Sequence, residues 1–545
     1  MPTSALHQTP WCPTQAKLHD FRPATDAEIR KVIMNSKNTT CSLDPIPTPL
    51  LKECLDPLIP VITKLVNTSL STGCVSTSFK HALVKPLLKK STLDSNDFKN
   101  YRPISNLPFL SKVMEKIVAS RLTAHMTENS LHENMQSAYK AKHSTETALV
   151  KVQNDILLEL DKKRGVVLAL LDLSAAFDTI DHDLLLKTLA DRIGITGNAL
   201  LWFKSYLTKR TQAVFIDGKT SNLVIIVFGV PQGSVLGPII FTIYTIPLKD
   251  IITFFGLSYH LYADDTQLYM SFDIQDDKDI QSKILKVQLC VAEIKSWMTR
   301  NMLKLNDDKT EILFISSPYY HDQVSVDSVQ IGNTAVAPTT SARNIGIIFD
   351  EHMSMNDQIS HVCKSVHYQL RNLGAIRKFL SQDSCLKLVH AFISSRLDYG
   401  NALLYGIPDC QIRRLQRIMN SAARILSLKS KYDHIEPVLK SLHWLPVEQR
   451  IQFKVILLTF HAIHKNAPSY LNDLLMPYKP TRSLRSEDRN LLVVPRTNQK
   501  YGNRAFSVCG PQLWNGLPDS LRKVDCLASF KKQLKTLLFS KAYNT

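Results

Sequence analysis

The sequence predicts a mixed α/β (α+β) fold followed by a mostly helical, basic carboxy-terminal region. Three observations carry that prediction. Val166-Val167-Leu168-Ala169-Leu170-Leu171 is an unbroken apolar run closed by Asp172, the pattern of a strand buried on both faces that delivers one acid to its end. Residues 256–270, GLSYHLYADDTQLYM, set Tyr262-Ala263-Asp264-Asp265 between two runs rich in aromatic and aliphatic side chains, which reads as a tight β-hairpin. In the last third, Arg413, Arg414, Arg417 and Arg424 interleave with Leu415, Ile418 and Ala422, a charged helix face over a packed one.

Adjacent carboxylates at a hairpin repel one another and call for a cation. Asp is also a favoured turn residue, so the hairpin alone leaves a solvated turn as an alternative. Hard divalent cations such as Mg²⁺ take oxygen ligands and keep substrate phosphates in their shell. Asp172 with Asp264 is therefore a candidate pair for two ions, Mg²⁺ or Mn²⁺, that stabilise the attacking and leaving oxygens of an in-line phosphoryl transfer. Asp265 is either a supporting ligand or a structural turn residue.

Composition narrows the class. With 44% hydrophobic and 21% charged residues the 545-residue chain is globular rather than disordered and long enough for several domains. The apolar stretches 166–171 and 238–248 fall short of the roughly 18 residues of a spanning helix, and no secretory signal is visible at the amino terminus. A soluble, intracellular protein without membrane contact is expected. The ten cysteines include no CxxC pair, and His461 and His464 have no neighbouring cysteines to complete a zinc site. Residues 1–360 hold 37 basic and 37 acidic side chains, whereas residues 361–545 hold 29 basic and 11 acidic ones. All the excess positive charge lies in that segment, the footprint of a phosphate-backbone partner.

Between the two acidic stretches lies Phe228-Gly229-Val230-Pro231-Gln232-Gly233-Ser234-Val235-Leu236-Gly237-Pro238. In this order LLDLSAAFD, GVPQGSVLGP and YADDTQLY resemble the palm of reverse transcriptases, most closely those of non-LTR (long interspersed element type) retrotransposons. The resemblance extends over nearly the whole chain from about Phe21. It implies a right-hand polymerase fold with fingers, palm and thumb. It divides the chain into an amino-terminal extension at 1–67, fingers and palm at 68–350, and a basic helical thumb and carboxy-terminal region at 351–545.

Further roles follow from the resemblance. Arg102 of RPIS and Lys112 of the SK..EKI stretch would lie near the nucleotide, where a triphosphate needs fixed cations. Leu173 joins this nucleotide-binding group. Phe177 would be the steric gate that excludes a 2′-hydroxyl and so selects dNTPs. Gln232 and Gly233 would border the nascent base pair, and Lys309 would give the departing pyrophosphate a proton. Residues 344–350 resemble the primer grip. Relatives read QSGFRKGHSTETAL where this chain has Gln136-Ser137-Ala138-Tyr139-Lys140-Ala141-Lys142-His143, so Ala138 and Ala141 replace glycines and Lys140 an arginine. Glycine admits positive φ and close backbone approach, which alanine resists. The implied partners are an RNA template, a DNA primer or nicked target DNA, and dNTPs, in the nucleus. Full elements of this kind carry an endonuclease, so the chain is expected to be the polymerase part of a larger element or a shortened copy. A catalytically inactive nucleic-acid-binding remnant and a DNA-templated polymerase are the alternatives.

Local signals predict individual elements. Thr25 should cap a helix at 26–33, and helices are expected at 50–70, 110–122, 184–207, 235–244 and 280–302. Ser144 should cap another that runs to Leu160. Strands are expected at 214–216, 223–228 and 305–314. Trp202 and Phe203 are candidates for base stacking but more often belong to a core.

Overall fold

Thr25 does cap the first helix, Asp26–Met34, its hydroxyl accepting the Glu28 N–H, and Ser144 forms a capping box with Thr147 at the head of Thr145–Asp161. These belong to a computed structural model that describes residues 14–174, 177–323, 326–332, 334–479 and 490–544. The Pro- and Thr-rich residues 1 to about 20 are expected to be poorly ordered; 1–13 of them, with Ala175-Ala176 of the palm motif, lie outside the described residues, whereas Leu18 bridges to Ile195. The chain divides into two units, each assembled from separate stretches.

The first unit comprises Met1–Glu133, Leu173–Ile251 and Glu293–Asn306. Its sheet centres on His81–Leu88, which pairs antiparallel with Tyr101–Asn106 and parallel with Arg210–Ile216. Arg210–Ile216 in turn carries two short partners, Lys219–Thr220 and Val224–Ile226. The helix expected at 50–70 is broken at Cys54 into Thr48–Glu53 and Leu55–Thr72. The one expected at 184–207 is broken at Gly194. Gly194 takes φ +76° and a β-carbon there would stand 1.9 Å from the Ala16 carbonyl oxygen, so close approach of the amino-terminal strap forces the break. Trp202 and Phe203 are fully buried and packed on Phe21, which makes them core rather than stacking platforms.

The second unit comprises Asn134–Asp172, Ile252–Ala292 and Asp307–Thr545. Its antiparallel sheet runs in the order Glu311–Ile315, Arg164–Leu171, Asp265–Asp273, Ser258–Tyr262. Arg164–Leu171 is buried almost throughout, as its apolar run requires. The strand expected at 305–314 is interrupted, because Asp307–Lys309 forms a 3₁₀ turn ahead of Glu311–Ile315. One hydrophobic core runs from Leu149 in the helix behind the sheet to Tyr543 near the carboxy terminus. Asp161, at the end of that helix, ties in the distant segment. Its carboxylate accepts the backbone N–H groups of Asn498, Gln499 and Gly502 at 2.8, 2.6 and 3.3 Å. Asn154 accepts the Ser507 N–H from about two turns earlier.

By length and composition residues 237–254 reach the threshold for a membrane span, with mean hydropathy 1.2 over 18 residues, longer than the apolar run read from sequence. They form two helices, Gly237–Tyr244 and Leu248–Phe254, and 44% of the segment is buried.

Candidate active site

In the second unit the strand register decides where the acids fall. Arg164–Leu171 pairs with Asp265–Asp273 up to Leu171 opposite Thr266, so one step further brings Asp172 level with Asp265. The hairpin closes at Tyr262 opposite Asp265, leaving Ala263 and Asp264 as a two-residue turn. Ala263 adopts φ +56°, a conformation that the hairpin demands of its first turn residue and that glycine adopts more easily.

Lys309 reaches this end of the sheet from the 3₁₀ turn, and its Nζ donates to Asp172 Oδ2 at 2.7 Å. Burial, reinforced by the negative charges of Asp264 and Asp172, pushes the Asp265 carboxyl up to about 6 against the opposing pull of Lys309. A cavity of about 400 Å³ opens here, lined by Asp172, Asp265, Gln267, Asp308, Lys309 and Arg343. Among the described residues no three His, Cys, Asp or Glu side chains are drawn together tightly enough to enclose an ion by themselves. The donor set nevertheless suits Mg²⁺. It is all carboxylate, its members repel one another, and the cavity leaves room for the water and phosphate oxygens that such an ion retains.

The other site residues lie in the first unit. Leu173 is buried and pairs with Leu305 in a short antiparallel ladder. Phe177 is half-buried with its ring 5.2 Å from that of Phe241. Its carbonyl accepts the Val230 N–H at 2.8 Å, and Gln232 Nε2 donates to Asp178 Oδ2 at 3.2 Å. The 228–238 turn is therefore stitched to the segment around Phe177. Gly233 takes φ +116°, and a β-carbon would lie 2.8 Å from the Ser105 carbonyl oxygen. The close backbone approach that requires glycine is thus to Ser105, whose N–H also donates to the Gln232 carbonyl at 2.8 Å. Arg102 is exposed on the strand that holds Ser105, and Lys112 is half-buried on Phe109–Glu128.

Two residues of this arrangement escape sequence reasoning. Glu115, one turn beyond Lys112, is buried, and its Oε2 accepts the N–H groups of Val235 and Leu236 at 2.7 and 3.1 Å. In the second unit Gln136 makes an equivalent contact with the Ala263 turn. Both serve backbone groups far along the chain, which leave no side-chain pattern to read. The expectation for Ala138 and Ala141 is also corrected. Set residue against residue, the second glycine of that motif falls on Lys142 rather than Ala141, and Lys142 takes φ +66°; Tyr139 takes +59°, and Ala138 is simply buried.

Residues 88–367, just over half of the chain, match the family described as reverse transcriptase (RNA-dependent DNA polymerase). The chain belongs to this family. The curated relatives it matches come from mobile elements. It is 25% identical over 414 residues to the probable RNA-directed DNA polymerase from transposon X-element of Drosophila melanogaster, covering 75% of this chain and 44% of that protein. It is 25% identical over 363 residues to the RNA-directed DNA polymerase from mobile element jockey of the same species, covering 65% and 38%. The chain therefore spans less than half the length of these curated relatives. Among solved structures it is similar to apo telomerase from Candida tropicalis, with 12% identity, 71% of this chain and 70% of that chain covered, and a TM-score of 0.36.

In this member of the family the basic helix is Asp409–Ser427, with Leu415, Ile418 and Ala422 buried as expected. Its four arginines are not equivalent. Arg414 donates to Gln411 and Ser360, and Arg424 to the carbonyls of Ser430 and Asp433, whereas Arg413 and Arg417 are exposed.

Proposed function

We propose that the chain is the RNA-directed DNA polymerase of a non-LTR retrotransposon, adding dNTPs to a DNA primer on an RNA template. The observation that carries this reading is the register that brings Asp172 level with Asp265 beside Asp264, with Lys309 on Asp172. Asp172 and Asp264, supported by Asp265, would hold two Mg²⁺ ions, whose charge stabilises the attacking and leaving oxygens of phosphoryl transfer. The chain's own groups supply the rest. Lys309 carries a proton for the departing pyrophosphate. Arg102 and Lys112 offset triphosphate charge, Phe177 excludes the 2′-hydroxyl, and Leu173, Gln232 and Gly233 shape the site of the new base pair. The reading extends to priming from nicked target DNA in the nucleus, as the motif resemblance to non-LTR elements implies.

Primer extension on an RNA template with dNTPs and Mg²⁺, beside Asp264→Asn, tests the reading. The wild type should extend, and the variant should lose at least about 10²-fold, the scale of removing one preorganised electrostatic group, while still binding primer-template. Equal silence from both with binding intact would instead mark an inactive binding remnant. Extension on DNA templates alone would mark a DNA-templated enzyme.

A further inference from the structure

Ala263 occupies a left-handed conformation at the turn that presents Asp264 and Asp265, and an L-residue adopts this only where its surroundings hold it. The holding contacts come from Gln136, which is 2% exposed. Its Oε1 accepts the Ala263 N–H at 3.1 Å and the Ala138 N–H at 2.9 Å, and its Nε2 faces the Ala263 carbonyl oxygen at 3.5 Å. Two N–H groups converging on one atom require an acceptor there, which fixes the orientation of the amide.

Gln136 is itself anchored. It bridges in parallel to Leu261 on the outer strand of the sheet, with Leu261 N–H donating to Met135 and Ser137 N–H donating to Leu261, at 2.9 and 3.0 Å. Behind it the Ser137 hydroxyl bonds both His260 Nε2 and the Tyr470 hydroxyl at 2.8 Å, and the Tyr470 hydroxyl donates to Thr147 at 3.0 Å. The amide thus stands on a buried polar base and grips both backbone polar groups of one turn residue.

We propose that Gln136 is a positioning residue for catalysis, holding Ala263 in its left-handed conformation and thereby setting where Asp264 and Asp265 stand. The proposal rests on the polymerase reading for its kinetic consequence and on the carboxylate turn alone for its metal consequence. Gln136 touches neither substrate nor metal in this role. It acts through the backbone of Ala263.

The test is a double-mutant cycle of Gln136→Met with Ala263→Gly, because methionine keeps the length and drops the hydrogen bonds, while glycine takes the same φ without strain. Two quantities are measured on all four proteins: the maximal rate of primer extension, and Mn²⁺ binding without nucleic acid by electron paramagnetic resonance, with Asp264→Asn as the reference for a lost site. Gln136→Met should lower the rate by about 10²-fold through misplacement of reacting groups and weaken Mn²⁺ by about 10-fold, the scale of losing an outer support. Primer-template affinity should not change. In the Ala263→Gly background both losses should shrink.

Losses of equal size in both backgrounds would overturn the proposal, as would Mn²⁺ binding that is the same in all four proteins or missing in the wild type. A wild type that fails to extend while the Mn²⁺ arm behaves as expected would sink the polymerase reading and leave the clamp standing. If Q136M does not stay folded, Gln136→Asn takes its place, since the shorter side chain withdraws its oxygen from both N–H groups.

Discussion

Lys309 Nζ donates to Asp172 Oδ2 at 2.7 Å although 66% of the lysine side chain is exposed. It is placed as a stand-in cation beside acids that repel one another, and a metal ion at Asp172 must displace or share that contact. Lys309→Met should therefore tighten Mn²⁺ binding to the protein alone, by a few-fold at most because exposed ion pairs are weak. Primer extension should fall by about 10²-fold if Lys309 also serves as proton donor. Parallel loss of metal affinity and extension would show that the lysine instead holds the turn together.

Glu115 supports the 228–238 turn in the first unit. Burial pushes its carboxyl up, opposed by the hydrogen bond from Leu236, by Arg210 and by the hydrogen bond from Val235. Arg210 is itself fully buried. Glu115→Ala would orphan two backbone N–H groups and leave Arg210 without its counter-charge, so unfolding in urea should reveal a loss of about 3–5 kcal/mol. Glu115→Gln, which retains an acceptor for the two N–H groups but not the counter-charge, should lose less than the alanine protein. Comparable stability in the alanine protein would mean that the turn stands without this carboxylate.

The contrast between Asp172 and Glu115 separates what was legible in the sequence from what was not. Asp172 closes an apolar run, and a strand buried on both faces has few other readings, so its place at the sheet end and its partnership with the Tyr262-Ala263-Asp264-Asp265 hairpin could be read directly. Helix caps were equally legible, because Thr25 and Ser144 satisfy N–H groups three residues away. Glu115, Gln136 and Asp161 were not, since their partners are backbone N–H groups 120 or more residues distant. Every residue type carries the same N–H, so no pattern betrays such contacts. Tyr139 follows the same logic, since no side-chain pattern marks its positive φ, whereas that of Lys142 was legible because it stands at a glycine of the QSGFRKGH motif.

His260 predicts a pH dependence of stability. Burial pushes its imidazole down to about 3, assisted by the nearby cations Lys151, His143 and Lys140, while the ring bonds Ser137 and packs edge-on against Tyr470. An unfolded histidine titrates near 6.5. Between these values the unfolded chain binds the extra proton, so the contribution of His260 is complete above about pH 6.5 and is lost progressively as pH falls towards about 3, at up to ~1.4 kcal/mol per pH unit. His260→Gln should reduce the slope of unfolding free energy against pH by about one proton between pH 4 and 6. An unchanged slope would place the acid sensitivity elsewhere.

The excess positive charge beyond residue 360 cannot be tested by truncation, because removing residues 361–545 would take away most of the core shared with Leu149 and Leu168. Point substitutions on Asp409–Ser427 discriminate instead. Arg414 and Arg424 already spend N–H groups on Gln411, Ser360, Ser430 and Asp433, so replacing them should cost stability. Arg413 and Arg417 are exposed and lie four residues apart, which puts them on the same helix face. If they neutralise phosphates, the double change to Gln should weaken primer-template binding and flatten the plot of log K against log salt concentration by about 2, close to one per lost phosphate contact. Thermal stability should not move, since neither side chain is packed. The binding should weaken similarly for unrelated sequences, because phosphate contacts position a duplex without reading it. An unchanged salt slope with normal folding would assign the grip to other cations of the basic segment.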